Sequence, residues 1–187
     1  MVAELPESGP FTDAARALGP LDEDARRQAR TRHDRLSKPP GSLGGLEDVG
    51  AHLAAISGTC PPPVPQSPAV VVLAADHGVV AAGVTMWPQE ITAHMVATFV
   101  SGGAAINAVA GAVGADVRVV DVGVAADLGG LGSVRHHKVR AGTGNLADGP
   151  AMTRAEAITA LDAGALVAAE LVAAGHDLLV TGDMGIG

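Results

Sequence analysis

Three apolar runs frame this chain. Ala69-Val70-Val71-Val72-Leu73-Ala74-Ala75 is unbroken and rich in valine, the pattern of a strand buried on both faces in a helix-covered parallel sheet. It stops abruptly on Asp76-His77-Gly78. Asp116-Val117-Arg118-Val119-Val120 runs into Asp121-Val122-Gly123, and Asp177-Leu178-Leu179-Val180-Thr181 into Gly182-Asp183-Met184-Gly185-Ile186-Gly187. Each run ends in an acid beside a glycine. A parallel sheet brings all three ends to one edge, and open α/β sheets bind ligands beyond the carboxyl ends of their strands.

The segments between the runs read as helices and turns. Met1 to Pro10 form a loose start, and Leu21 to Leu36 is the first helix, its acids early and its arginines late, in the order that suits the helix dipole. Ser37-Lys38-Pro39-Pro40-Gly41-Ser42-Leu43-Gly44 is a turn, in which Lys38 is a candidate for an anion. Leu46, Val49, Leu53 and Ile56 give the next helix an apolar stripe, and Pro61-Pro62-Pro63-Val64-Pro65 ends it. This divides an N-terminal helical layer, residues 1–60, from an α/β part, residues 61–187. In the latter, a helix opening at Pro88 carries Ile91, Met95 and Phe99, and another runs from about Ser101 to Val113 and closes on Gly114. Val134 to Arg140 fits a short edge strand whose adjacent His136 and His137 point to opposite faces and read as surface. Thr153-Arg154-Ala155-Glu156 is a capping box for a helix through Ala174, with Ile158, Leu161, Ala165, Leu166 and Ala169 inside.

Composition narrows the class. With 187 residues, 48% of them hydrophobic, the chain fills a core of ordinary size. Aromatic content of only 2% makes that core one of Ala, Val, Leu and Ile, which suits helices packed closely on a sheet. A net charge of −8 argues against nucleic acid and against an anionic membrane. The apolar runs read as too short or too interrupted to span a bilayer, there is no signal-peptide pattern, and the lone Cys60 fits a reducing compartment. A cytoplasmic protein is expected.

The chemistry-bearing positions cluster at the strand ends. Gly182-Asp183-Met184-Gly185-Ile186-Gly187 resembles an anion cradle, because glycines let backbone N–H groups approach a phosphate. It is neither a Walker A loop nor a dinucleotide fingerprint. Asp76, His77, Asp121 and Asp183 could be a metal set, but no two have an intra-helix ligand spacing, and strand-end aspartates often cap loops instead. Trp87 and Met95 sit at the mouth and two turns into one helix, where such residues are more often core than pocket.

Several stretches together resemble one family. Arg35-Leu36-Ser37-Lys38-Pro39-Pro40-Gly41-Ser42-Leu43-Gly44, Ala74-Ala75-Asp76-His77-Gly78-Val79, Gly102-Gly103-Ala104-Ala105-Ile106-Asn107, Val119-Val120-Asp121-Val122-Gly123, Gly149-Pro150-Ala151-Met152-Thr153 and the Gly182–Gly187 turn fall in the order and spacing of the nicotinate-nucleotide:dimethylbenzimidazole phosphoribosyltransferases. The resemblance implies transfer of a 5-phosphoribosyl group from nicotinate mononucleotide to a benzimidazole, giving α-ribazole 5'-phosphate for the cobalamin nucleotide loop. It implies a Rossmann-like parallel sheet with helices on both faces, a smaller helical domain, a homodimer, and neither metal nor cofactor. Carried over by position, Trp87 and Met95 line the base pocket, and Gly185, Ile186 and Gly187 begin the phosphate site. Asp183 stands where many members have Glu, in a supporting catalytic role. Asp76, His77 and Asp121 complete the substrate-binding candidates. Met95 replaces a polar Gln of some members, and the family's principal catalytic Glu lies beyond Gly187. The chain therefore reads as the N-terminal portion of such an enzyme, inactive alone. A non-catalytic nucleotide- or phosphate-binding module is the alternative.

Overall fold

The computed structural model describes residues 6–187; of the expected loose start, residues 1–5 lie outside the described residues. By contacts the chain divides into two compact units, Arg16–Pro65 and Gln66–Gly187 with the residues before Arg16. The sequence reading set that division at 60/61.

The second unit is a four-stranded parallel sheet. β1 (Pro68–Ala75), β2 (Asp116–Gly123), β3 (Arg135–His136) and β4 (Leu178–Met184) lie in the order β3-β2-β1-β4. The α/β fold expected from the three apolar runs is the fold observed. Side chains alternate along β1 and reach helices on both faces. Val70 and Val72 pack with Ala110 of α5 (Ala105–Val113), and Ala74 packs with Val96 of α4 (Ile91–Val100). Val71 joins Val120 on the other face, against Val167 and Leu171 of α6 (Arg154–Ala173).

Gly114 closes α5 in the left-handed region at φ 69°, and the Thr153–Glu156 capping box opens α6, both as read from sequence. Other expectations are corrected. A short helix, α1 (Pro10–Ala17), was not anticipated; the Phe11 N–H donates to Asp162 Oδ1 of α6. The face of α6 is also shifted. Ala163, Val167 and Leu171 are buried, whereas Leu161 and Leu166 are 45% and 44% exposed. The helix is apolar nearly all round, so periodicity could not choose its face. By length and composition Ile91–Val113 would suffice to cross a membrane, contrary to the sequence reading. It is divided here, with α4 ending at Val100 and Gly102 turning at φ 80° before α5.

The first unit pairs α2 (Glu23–Arg35) with α3 (Gly45–Ser57) through Ala25, Ala29, Ala51 and Ala54. Most of the stripe expected to pack α3 does not do so: Leu46, Val49 and Ile56 are more than half exposed, and Leu53 is half-buried. Alanines take the contact because they let two helix backbones approach closely. Lys38, the anion candidate, is held 2.7 Å from Glu47 Oε1.

Candidate functional site

The carboxyl edge of the sheet is built from three loops that interlock through close backbone approach. A Cβ on Gly78, just past β1, would lie 2.6 Å from the Thr143 carbonyl oxygen. On Gly185 it would overlap the Ala75 carbonyl oxygen and meet His77 Nε2 at 2.9 Å, and on Gly187 it would lie 2.7 Å from His77 Cβ. Any side chain at these three positions would push the loops apart. Hydrogen bonds fix the same arrangement. The Thr143 N–H donates to the Asp76 carbonyl (2.9 Å), the Gly78 N–H to Thr143 Oγ1 (3.2 Å), and the His77 N–H to the Ile186 carbonyl (3.3 Å). His77 thus lies against the Gly185–Gly187 turn.

The strand-end acids divide by role. Asp121 is fully buried, its Oδ1 accepting from the Gly123 and Val124 N–H groups and its Oδ2 lying 3.2 Å from Lys138 Nζ. That corrects its candidacy for direct contact with substrate: it is inaccessible, and it holds the loop after β2. Asp76, 2% exposed, holds the same loop from the other side, its Oδ2 accepting from the Ala125 N–H at 2.7 Å. Its Oδ1 has no hydrogen-bond partner among the described residues. Asp76 lines a cavity of about 200 Å³ with Gln89, Glu90, Ala93, Ala125 and Ala126.

Asp183 differs from both. It pairs in register with Leu73, whereas Asp121 pairs with Ala74, so the two carboxylates point to opposite faces of the sheet. Asp183 is exposed, and its carboxylate makes no hydrogen bond or ion pair among the described residues. The expectation that a parallel sheet brings the three acids to one edge holds for the backbone, but their side chains do not meet at one point. Among the described residues no group of three His, Cys, Asp or Glu is placed to hold a metal.

The α4 side supplies the remaining candidates. Trp87, 59% exposed, stands before the first turn of α4 and is not core, and Met95 is half-buried two turns on. The N–H of Ile186, one of the three phosphate-turn candidates, donates to Thr92 Oγ1 at 3.1 Å. With its carbonyl taken by His77, Ile186 is a fixed strut of the turn and its N–H is not free for a phosphate. Gly185 and Gly187 flank it.

Sequence reasoning missed Thr92, Thr143 and Lys138. Thr92 is a polar residue with no exposure inside an apolar helix, and a lone hydroxyl in an apolar stripe was the only available signal. Thr143 sits in a glycine-rich loop whose partner could not be read. Lys138 lies in a stretch read as a solvent-facing edge strand. The histidines there divide, His136 exposed and His137 half-buried, and β3 keeps only two of the seven expected residues.

The phosphoribosyltransferase family model matches residues 18–187. The chain is 48% identical to the nicotinate-nucleotide–dimethylbenzimidazole phosphoribosyltransferase of Salinispora tropica, covering 91% of this chain and 51% of that protein. It is 52% identical to the enzyme of that name from Thermus thermophilus, over 89% of this chain and 50% of the relative. A crystal structure of the Thermus thermophilus enzyme superposes with a TM-score of 0.82 at 51% identity, over 89% of this chain and 50% of that one. The chain spans about half the length of these relatives. With the family model matching residues 18–187, relatives about 50% identical over some nine-tenths of the chain and a superposition at a TM-score of 0.82, the chain belongs to the nicotinate-nucleotide:dimethylbenzimidazole phosphoribosyltransferase family.

Proposed function

We propose that this chain carries a substrate-binding part of an enzyme that moves the 5-phosphoribosyl group of nicotinate mononucleotide to dimethylbenzimidazole, yielding α-ribazole 5'-phosphate and nicotinate for the cobalamin nucleotide loop. The observation that carries the reading is the interlocking of the loops after β1, β3 and β4 through Gly78, Gly185 and Gly187, in a chain of this family.

The chemistry asks for three things. The C1'–N bond of the nucleotide breaks with its electron pair going to the ring nitrogen, so the pyridinium leaves as a neutral pyridine while positive charge grows on the ribose. A carboxylate facing that charge stabilises it, and Asp183, exposed at the carboxyl end of β4 and engaged by no neighbour among the described residues, is free to do so. A lone pair of the incoming base forms the new bond to C1', and the base gives up its ring proton. A positioned general base for that proton is worth about 10²–10⁴-fold; the resemblance puts it beyond residue 187. Exposed Trp87 and half-buried Met95 on the α4 side suit a flat apolar base, and the Gly185–Gly187 turn with His77 suits the phosphate.

A homodimer and a cytoplasmic setting belong to the same proposal. Val109 and Val113 of α5, 63% and 68% exposed, favour the first, and the lone cysteine favours the second. The decisive assay is nicotinate release from nicotinate mononucleotide, with and without dimethylbenzimidazole. It is run on the 187-residue chain and on the chain extended to the length of its relatives. Base-dependent release from the extended protein is expected, with the shorter chain about 10²-fold slower or worse. Release that ignores the base would make the reaction a hydrolysis and sink the transferase reading.

A further inference from the structure

From the contact between Thr92 and Ile186 we infer that Thr92 is the positioning residue that sets the phosphate turn against the base-side helix. The inference rests on the phosphoribosyltransferase reading above. Thr92 lies in the first turn of α4, with Trp87 just before that helix and Met95 within it, and its side chain has no exposure. Its Oγ1 accepts the N–H of Ile186 at 3.1 Å, 94 residues away in sequence. A buried hydroxyl in an otherwise apolar helix face stays only where its hydrogen bonds are made. This one is spent on a backbone group between the two glycines of the turn.

The clamp is two-sided. The Ile186 carbonyl accepts the His77 N–H at 3.3 Å, so the residue is tied to the loop after β1 on one side and to α4 on the other. Packing leaves the turn no alternative path on the His77 side, because Gly185 and Gly187 both lie where even a Cβ would strike His77. On the α4 side the Thr92 hydroxyl is what holds the Ile186 N–H. Removing that acceptor frees one wall of the turn and leaves the other intact. Thr92 has no exposure and its hydroxyl is engaged by the Ile186 N–H, so it acts through the turn and is not itself a catalytic residue.

Threonine to valine is nearly isosteric, so Thr92→Val deletes the acceptor and leaves the volume in place, and Thr92→Ser keeps the acceptor. The test is calorimetric titration of the extended protein, separately with nicotinate mononucleotide and with dimethylbenzimidazole. A thermal melt of each variant confirms folding. Thr92→Val is expected to weaken nicotinate mononucleotide about tenfold, with dimethylbenzimidazole within about twofold, and Thr92→Ser to restore wild-type binding. Amide exchange at Ile186 should accelerate in the valine variant alone. Equal loss for both ligands, or no loss for either, overturns the inference, as does a serine variant no better than valine. A Thr92→Val protein that does not fold leaves the serine variant to decide: Ile186 exchange as slow as wild type with normal nucleotide binding supports the role, and fast exchange with normal binding refutes it. Wild-type protein that binds neither ligand would instead refute the function itself, an outcome visible before any variant is compared.

Discussion

Asp183 and Asp121 are the same residue type one register step apart on parallel strands of one sheet, and their opposite faces assign them opposite work. Asp121 is enclosed by two backbone N–H groups and the Lys138 ammonium, while Asp183 stands in solvent with nothing among the described residues bound to its carboxylate. A residue whose side chain makes no native contact contributes little to stability. Asp183→Asn in the extended protein is therefore expected to lower turnover at least about tenfold, roughly 1.4 kcal/mol in the barrier, while leaving the melting temperature within a degree or so. Steady-state rates beside a thermal melt check both halves, and an early melt with normal activity in the folded fraction would assign Asp183 to structure. At this scale the sequence showed which residues carry charge and where strands stop. It could not show which of two strand-end acids is enclosed, because side chains alternate in direction and the register was unknown until the strands were paired.

At the scale of elements, β1 and β4 are held in register at their amino ends by Asp177, which precedes β4. Its Oδ2 accepts from the Gln66 N–H at 2.8 Å and its Oδ1 from the Ser67 N–H at 2.9 Å. These two backbone hydrogen bonds, Gln66 first, hold the Asp177 carboxyl below its ordinary value. A carboxyl lowered in the folded state contributes stability that is present above the unfolded-state value and is lost as pH falls through the folded one. Urea unfolding followed from neutral pH downward should thus show wild type losing its advantage over Asp177→Asn as the carboxylate protonates. A gap between the two proteins that stays constant with pH would rule out this source of acid sensitivity. The elements themselves were largely legible, because long valine runs, a capping box and a terminal glycine each have a local cause. What escaped was set by tertiary contact. α1 is only eight residues long and bonds to α6 from 151 positions away in sequence. α6 and α3 bury faces that an almost uniformly apolar composition leaves unmarked. Pro88 precedes α4 by a turn and does not start it: the Ile91 N–H bonds the Pro88 carbonyl at 3.2 Å.

For the molecule as a whole, the sheet order places β4 at an edge, paired with β1 alone among the described strands. Its composition, Leu-Leu-Val-Thr-Gly-Asp-Met, is that of an interior strand. It lacks the lysine, proline or bulge by which exposed edges are usually blunted. Leu178 and Val180 are 39% and 44% exposed, so the open edge offers unpaired backbone groups and apolar side chains together. Two such edges can pair with one another, and the 187-residue chain is expected to self-associate as its concentration rises. A net charge of −8 opposes this at low ionic strength, so added salt should promote it by screening the repulsion. Sedimentation over a range of concentrations at two salt levels measures both effects. A charge placed on the exposed strand should disfavour pairing without touching the core, so Val180→Lys is expected to shift the chain toward monomer with its circular dichroism unchanged. If that variant associates as strongly as the parent, the contact lies elsewhere, and the exposed Val109 and Val113 of α5 become the surface to alter next.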